Sequence, residues 1–157
     1  MAGEVLTVSR ADGYRISTDP ALLDVDAIVH WIGDLSYWAK GRPRSVIEKS
    51  LAHSLCFGIY QATDRGEQQV GIARVVTDYA TFGWLCDVYI DEAQRGQGLG
   101  KWLVATIVSH PDLATIRRIM LATRDAHGLY RQFGFVPETN VDIWMNRTVP
   151  APSEPAD

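Results

Sequence analysis

Apolar positions along the chain change period several times. Residues 4–10 and 14–17 alternate polar and apolar side chains, which predicts a short strand or hairpin. Asp19-Pro20 then sets a capping residue ahead of a proline, a combination that opens helices. Leu22, Leu23, Ala27, Ile28 and Trp31 fall on roughly one face of that helix, and Gly33 ends it. A second helix is predicted from Ser45, a capping residue with Glu48 three positions later, carrying Val46, Ile47 and Leu51. Residues 55–61, 70–77 and 82–90 are short runs rich in Val, Ile, Phe, Tyr and Trp, separated by turn-forming stretches. They predict three consecutive antiparallel strands.

From Gly98 the 3.6 period returns: Leu99, Trp102, Leu103, Thr106, Ile107 and His110 share one stripe, stopped by Pro111. A compact strand follows at residues 118–123, then a short helix at 126–133 ended by Gly134, and a last strand at 143–148. Helices and mostly antiparallel strands with one strand–loop–helix crossover predict an α/β (α+β) sandwich. Residues 1–148 read as one domain and 149–157, rich in proline, as a flexible tail.

Composition narrows the function classes. The chain has 157 residues and is 46% hydrophobic, enough for one buried core. It carries no run of about 18 apolar residues and no basic-then-apolar leader, so neither a membrane nor secretion is predicted and the cytoplasm is the expected location. A net charge of −4 and a pI near 5.5 argue against a nucleic-acid partner and suit a cationic substrate. Cys56 and Cys86 lie in apolar runs and read as buried thiols, while the four histidines fall at no ligand spacing, so no metal is expected.

The candidate chemistry sits where the strand ending at Ile90 runs into Gln94-Arg95-Gly96-Gln97-Gly98-Leu99-Gly100-Lys101. A helix N-terminus offers unsatisfied N–H groups and a partial positive charge, and glycines let the backbone approach an anion closely. Arg95 and Lys101 add charge. Lys101 stands where the dinucleotide fingerprint needs its third glycine, and no G-K-[ST] is present. Taken alone, the loop fits a bound diphosphate or a plain strand-to-helix turn.

Arg95-x-x-Gly98-x-Gly100 after Val88-Tyr89-Ile90, together with Ala126, Leu129-Tyr130 and Gly134-Phe135 some thirty residues on, resembles the two signatures of the GNAT superfamily of acetyl-CoA-dependent N-acetyltransferases. The resemblance covers about residues 14–148. It implies a mostly antiparallel central sheet with a splayed strand pair and helices on both faces. It also implies acetyl-CoA as cosubstrate, with the pantetheine arm along Val88, Tyr89 and Ile90. The diphosphate would lie on the backbone of Arg95, Gly96, Gln97, Gly98, Leu99, Gly100 and Lys101. Tyr130 matches the family's general acid toward the CoA thiolate, the rival reading being a core aromatic. The family's asparagine three residues before the alanine is Thr123 here.

An alkylammonium must lose a proton before it can attack, at a cost of roughly 4–5 kcal/mol at neutral pH. Asp87, an acid inside an apolar run, is the candidate base, balanced against a structural aspartate at the family's bulge. Asp125 is the second candidate, with helix N-capping as its plainer role. The backbone N–H of Val88 is expected to polarise the acyl carbonyl. Tyr37 and Trp38, beyond Gly33, are expected to line the acceptor pocket, while Trp31 is in phase with the core. The expected acceptor is a small-molecule primary amine. The alternatives are a protein or peptide amine, a longer acyl group, or a non-catalytic acyl-CoA sensor. A homodimer would be common in the family, although no segment demands one.

Overall fold

The computed structural model describes residues 3–150. Six strands form one sheet in chain order: β1 (Thr7–Ser9), β2 (Tyr14–Ser17), β3 (Leu55–Thr63), β4 (Gly66–Thr77), β5 (Gly83–Ile90) and β6 (Ile119–Met120). Neighbours are antiparallel up to β5. β5 and β6 run parallel and pair at only two steps, Gly83 with Ile119 and Trp84 with Met120. A parallel step requires a long crossover, which helix α3 (Leu99–Val108) supplies. Past Trp84 the two strands part, leaving the C-terminal half of β5 without a neighbour on that side.

Each face of the sheet has its own core. On one, Leu99, Leu103, Val104 and Ile107 of α3 pack on Ile16, Phe57, Ile59, Val75 and Leu85, joined by Tyr130 of α4 (His127–Arg131). On the other, α1 (Val25–Val29), a π-helical turn (His30–Leu35) and α2 (Arg44–Ala52) bring Ile28, Trp31, Ile32, Ile47 and Leu51 onto Cys56, Ile72 and Tyr89. The sheet therefore carries helices on both faces, as the family resemblance implies.

Local capping differs from the expectation. Asp19 caps only a single 3-10 turn, Pro20–Leu22, and Asp24 caps α1 by accepting from the Ala27 N–H at 3.0 Å. Gly33 does not end the helix. It lies buried inside the π-helical turn, where a Cβ would meet the Arg42 carbonyl oxygen at 3.2 Å, so its role is to admit the 36–42 loop. α2 starts at Arg44 behind Pro43, with no side-chain cap, rather than at Ser45.

The C-terminal part departs further. β6 covers two residues of the predicted 118–123, and the predicted strand at 143–148 does not form. Val141–Ile143 is a 3-10 turn and the chain after it is exposed, Met145 at 96%. β6 presents only a two-residue ladder, too short to nucleate another strand, and the segment is held instead through Arg118, 5.5 Å over the Trp144 ring. The predicted tail falls mostly on residues 151–157, which lie outside the described residues. Cys56 is buried and Cys86 half-buried, both unpaired, and burial pushes their thiols up to about 12 and about 11. No described helix is long and apolar enough to cross a membrane.

Leu103 is fully buried, so Leu103→Ala is expected to cost about 2–5 kcal/mol in urea denaturation. Ile143→Ala, at a 63% exposed position, is expected to stay within about 0.5 kcal/mol. A large loss at Ile143 would show that the 143–148 segment carries core packing after all.

Candidate active site

The site is organised by one extra residue in β5. Ile72 faces Tyr89 and Arg74 faces Cys86, so Ala73 alone opposes both Asp87 and Val88. That is a β-bulge, and Asp87 takes the irregular step with a φ of 50°. Strand parity inverts across it. Leu85 packs on the α3 face, and so do Val88 and Ile90, while Tyr89 turns to the α1–α2 face. A strand without the bulge would send Val88 and Ile90 the opposite way.

Asp87 is held from three directions. Its Oδ1 accepts from Trp38 Nε1 at 2.9 Å, and its Oδ2 accepts from Arg42 Nη1 at 2.9 Å and Arg74 Nε at 2.8 Å. Arg74 in turn donates from Nη1 to Ser54 Oγ at 3.1 Å. Burial pushes the Asp87 carboxyl up, but Arg74, Trp38 and Arg42 together outweigh it and hold the group below its ordinary value. Both carboxylate oxygens are occupied, and Asp87 does not line the adjacent cavity.

That cavity, of about 750 Å³, opens where β5 and β6 part. Val88, Tyr89 and Ile90 form its floor, Gly96, Gly98, Leu99 and Gly100 one end, Tyr37 and Trp38 the other, and Tyr130 with Asp125 the far wall. At the loop end Gly96 and Gly98 have φ of 81° and 73°, the left-handed region that favours glycine. Gly98 is the N-cap of α3 and has no side chain to satisfy the first-turn donors, so the amides of Leu99, Gly100 and Lys101 receive no cap. A Cβ at Gly96 would touch nothing within 4 Å, which leaves the backbone open to a ligand. Unsatisfied amides at the positive end of a ten-residue helix fit a diphosphate.

The loop is braced from outside the cavity. Arg10 donates from Nη2 to the Gln97 carbonyl at 3.0 Å, its guanidinium 5.2 Å from both the Tyr14 and Trp102 rings. Tyr14 donates its hydroxyl proton to Gln94 Oε1 at 2.5 Å. Arg95 folds back, its Nε on the Ile90 carbonyl at 3.0 Å and its guanidinium over the Tyr89 ring.

At the other end, Tyr130 is 8% exposed and its hydroxyl has no hydrogen bond among the described residues. Burial first, then the nearby Tyr37 and Asp125, push its phenol up to about 12. Tyr37 accepts from the Arg124 N–H at 3.3 Å, and the Arg124 guanidinium lies 3.9 Å over its ring.

Most of the residues singled out by sequence meet in this one cavity: Val88, Tyr89, Ile90, Arg95, Gly96, Gly98, Leu99, Gly100, Tyr37, Trp38 and Tyr130 line it. Gln97, Lys101 and Asp87 do not. The Gln97 side chain is exposed, and its carbonyl is used to anchor the loop. Sequence reasoning missed the bracing arginines at 10, 42 and 74, which no local pattern marks because each acts across the sheet. Among the described residues no group of three metal-ligating side chains comes together.

A family profile described as an acetyltransferase (GNAT) domain matches residues 53–137. A Gibberella zeae protein provisionally named an acetyltransferase is 35% identical over 133 residues, covering 74% of this chain and 75% of that one. A crystal structure from Xanthomonas campestris, provisionally assigned to the GNAT acetyltransferases, superposes with a TM-score of 0.81 at 42% identity, over 88% of this chain and 94% of that chain. A Clostridium acetobutylicum structure described as a predicted acetyltransferase with acetyl-CoA shares the fold at 16% identity, with a TM-score of 0.60 over 86% and 94% of the two chains. The chain belongs to the GNAT acetyltransferase family and is an acetyltransferase.

Removing Asp87 leaves two buried or half-buried arginines without their partner, so Asp87→Asn is expected to cost about 2–4 kcal/mol at neutral pH. A carboxylate with a lowered folded value contributes in full above its unfolded value of about 3.9 and loses that contribution as pH falls through the folded one. The stability difference between wild type and Asp87→Asn, followed by urea denaturation, should therefore hold from neutral pH down to about pH 4 and close only in stronger acid.

Proposed function

We propose that the protein transfers an acetyl group from acetyl-CoA to the primary amine of a small molecule. The observation that carries this reading is the continuity of one cavity from uncapped helix amides to the unpartnered hydroxyl of the buried residue Tyr130. Acetyl-CoA, when bound, supplies a thioester whose acyl carbon an amine attacks directly and whose thiol departs. The amides of Leu99, Gly100 and Lys101, with the open backbone at Gly96 and Gly98, hold the diphosphate. Val88 and Ile90 offer main-chain groups to the pantetheine arm, and the Val88 N–H polarises the acyl carbonyl. The Ile90 carbonyl accepts from Arg95 Nε, and its second lone pair remains for the pantetheine arm.

Tyr130 keeps its proton throughout the physiological range, since its phenol is raised to about 12. Giving that proton outright to a thiolate of ordinary basicity, about 8.5, would cost about 5 kcal/mol. A thiolate formed in the same apolar cavity is itself more basic, because burial penalises its charge as it does that of the phenolate. Tyr130 therefore donates a strong hydrogen bond to the departing sulfur and completes proton transfer as charge develops, while the attacking nitrogen gives up its proton to solvent, from which the phenolate is reprotonated. Asp87 is a positioning residue and not the base: its oxygens are committed to Trp38, Arg42 and Arg74, and its lowered value makes it a poor proton acceptor.

A small acceptor is favoured over a polypeptide by the clasp between Tyr37 and Arg124, which ties the acceptor loop to the segment before α4 and walls that end of the cavity. A screen of small amines beside peptides, followed by thiol release and product mass, tests the reading. It should give turnover with small amines and little with peptides, and the reverse preference would overturn the small-molecule assignment. Tyr130→Phe is expected to lower kcat about 100-fold or more while CoA affinity by calorimetry stays within about threefold. Equal loss of CoA binding would make Tyr130 a packing residue.

A further inference from the structure

The geometry points to Asp125 as the carboxylate that receives the cationic acceptor amine, an inference that rests on the acetyltransferase reading above. Two acids line the cavity, Glu92 and Asp125. Glu92 begins the 3-10 turn that leads from β5 to the glycine loop, at the diphosphate end. Asp125 follows the end of β6 and lines the same space as Val88, Tyr89 and Tyr130.

Three further observations single it out. Its carboxylate has no ion pair or side-chain hydrogen bond among the described residues, unlike the committed Asp87. Asp125 does not cap α4, whose N-cap is Ala126 without a side-chain cap, and the Ala126 N–H is taken by the Thr123 Oγ1 at 3.0 Å. The neighbouring Arg124 is turned away onto Tyr37 and does not neutralise it. Tyr130, a residue 8% exposed whose hydroxyl has no hydrogen-bond partner among the described residues, lines the same cavity, and the Asp125 charge reaches it, adding to the burial that raises its phenol. An ammonium at this point would meet a free carboxylate on one side and the exposed ring of Trp38 on another. The substrate class so defined is a primary ammonium on a compact apolar or aromatic skeleton.

Wild type, Asp125→Asn and Asp125→Glu are assayed with acetyl-CoA and two nucleophiles, benzylamine, a cation at neutral pH, and hydroxylamine, which is uncharged there. CoA affinity is measured in parallel by calorimetry. The inference expects Asp125→Asn to raise the benzylamine KM tenfold or more. Its kcat/KM should fall at least tenfold further with benzylamine than with hydroxylamine, and Asp125→Glu should recover most of the difference. CoA affinity should stay within twofold. Parallel losses with both nucleophiles, an unchanged benzylamine KM, or wild-type transfer to hydroxylamine but to no cationic amine would each overturn the role of Asp125 alone. A wild-type protein that neither binds CoA nor transfers acetyl to either nucleophile would overturn the parent reading and this one with it.

Discussion

The carboxylate of Asp87, clamped between Arg42, Arg74 and the Trp38 indole, is the interaction on which the rest of the site depends. A single residue with a φ of 50° inside a strand is unfavourable by itself, and a buried charge more so. Each problem is met by the same contacts, because two guanidinium groups and an indole N–H fix the side chain where the irregular backbone places it. The bulge that results turns Val88 and Ile90 toward α3 and Tyr89 toward α1. Through Trp38 and Arg42 the same carboxylate also anchors the 36–42 loop to the sheet. The bulged strand and the Tyr37–Trp38 wall of the cavity therefore share one support.

The two ends of the cavity are built by different physics. At the loop end the protein contributes mostly backbone: glycines in left-handed conformations, a helix start without a side-chain cap, and bracing from Arg10 and Tyr14 that stays outside the cavity. Around Tyr37, Trp38 and Tyr130 it contributes side chains, with aromatic rings, a phenol and the Asp125 carboxylate. The division suits a ligand recognised by diphosphate and amide groups at one end and by charge and shape at the other. The parting of β5 from β6 after two paired steps is what joins the two ends into a single space.

Much of this was legible in the sequence. Strands β3, β4 and β5 and helix α3 announce themselves because their apolar periods are long and uninterrupted, and the glycine loop because its position between strand and helix has few structural uses. What the sequence concealed was non-local. Asp19 and Asp24 are both good caps, and only packing decides that Asp24 begins α1. Asp87 as base or as brace depends on Arg42 and Arg74, which reach it from 45 and 13 residues away. Asp125 has a capping residue's place in the sequence, yet α4 starts one residue later, with Ala126 at its N-cap and no side-chain cap. The 143–148 run has a strand's composition, yet β6 offers it only a two-residue ladder to join.

If the bulged β5 and the glycine loop form one continuous CoA site, amide chemical shifts of the 15N-labelled protein report it during titration with CoA. Val88, Tyr89, Ile90 and the amides of residues 96–101 should then shift together along one binding isotherm, while residues of α2 (Arg44–Ala52) remain still. Saturable CoA binding that moves α2 and leaves the loop and β5 unperturbed would contradict it.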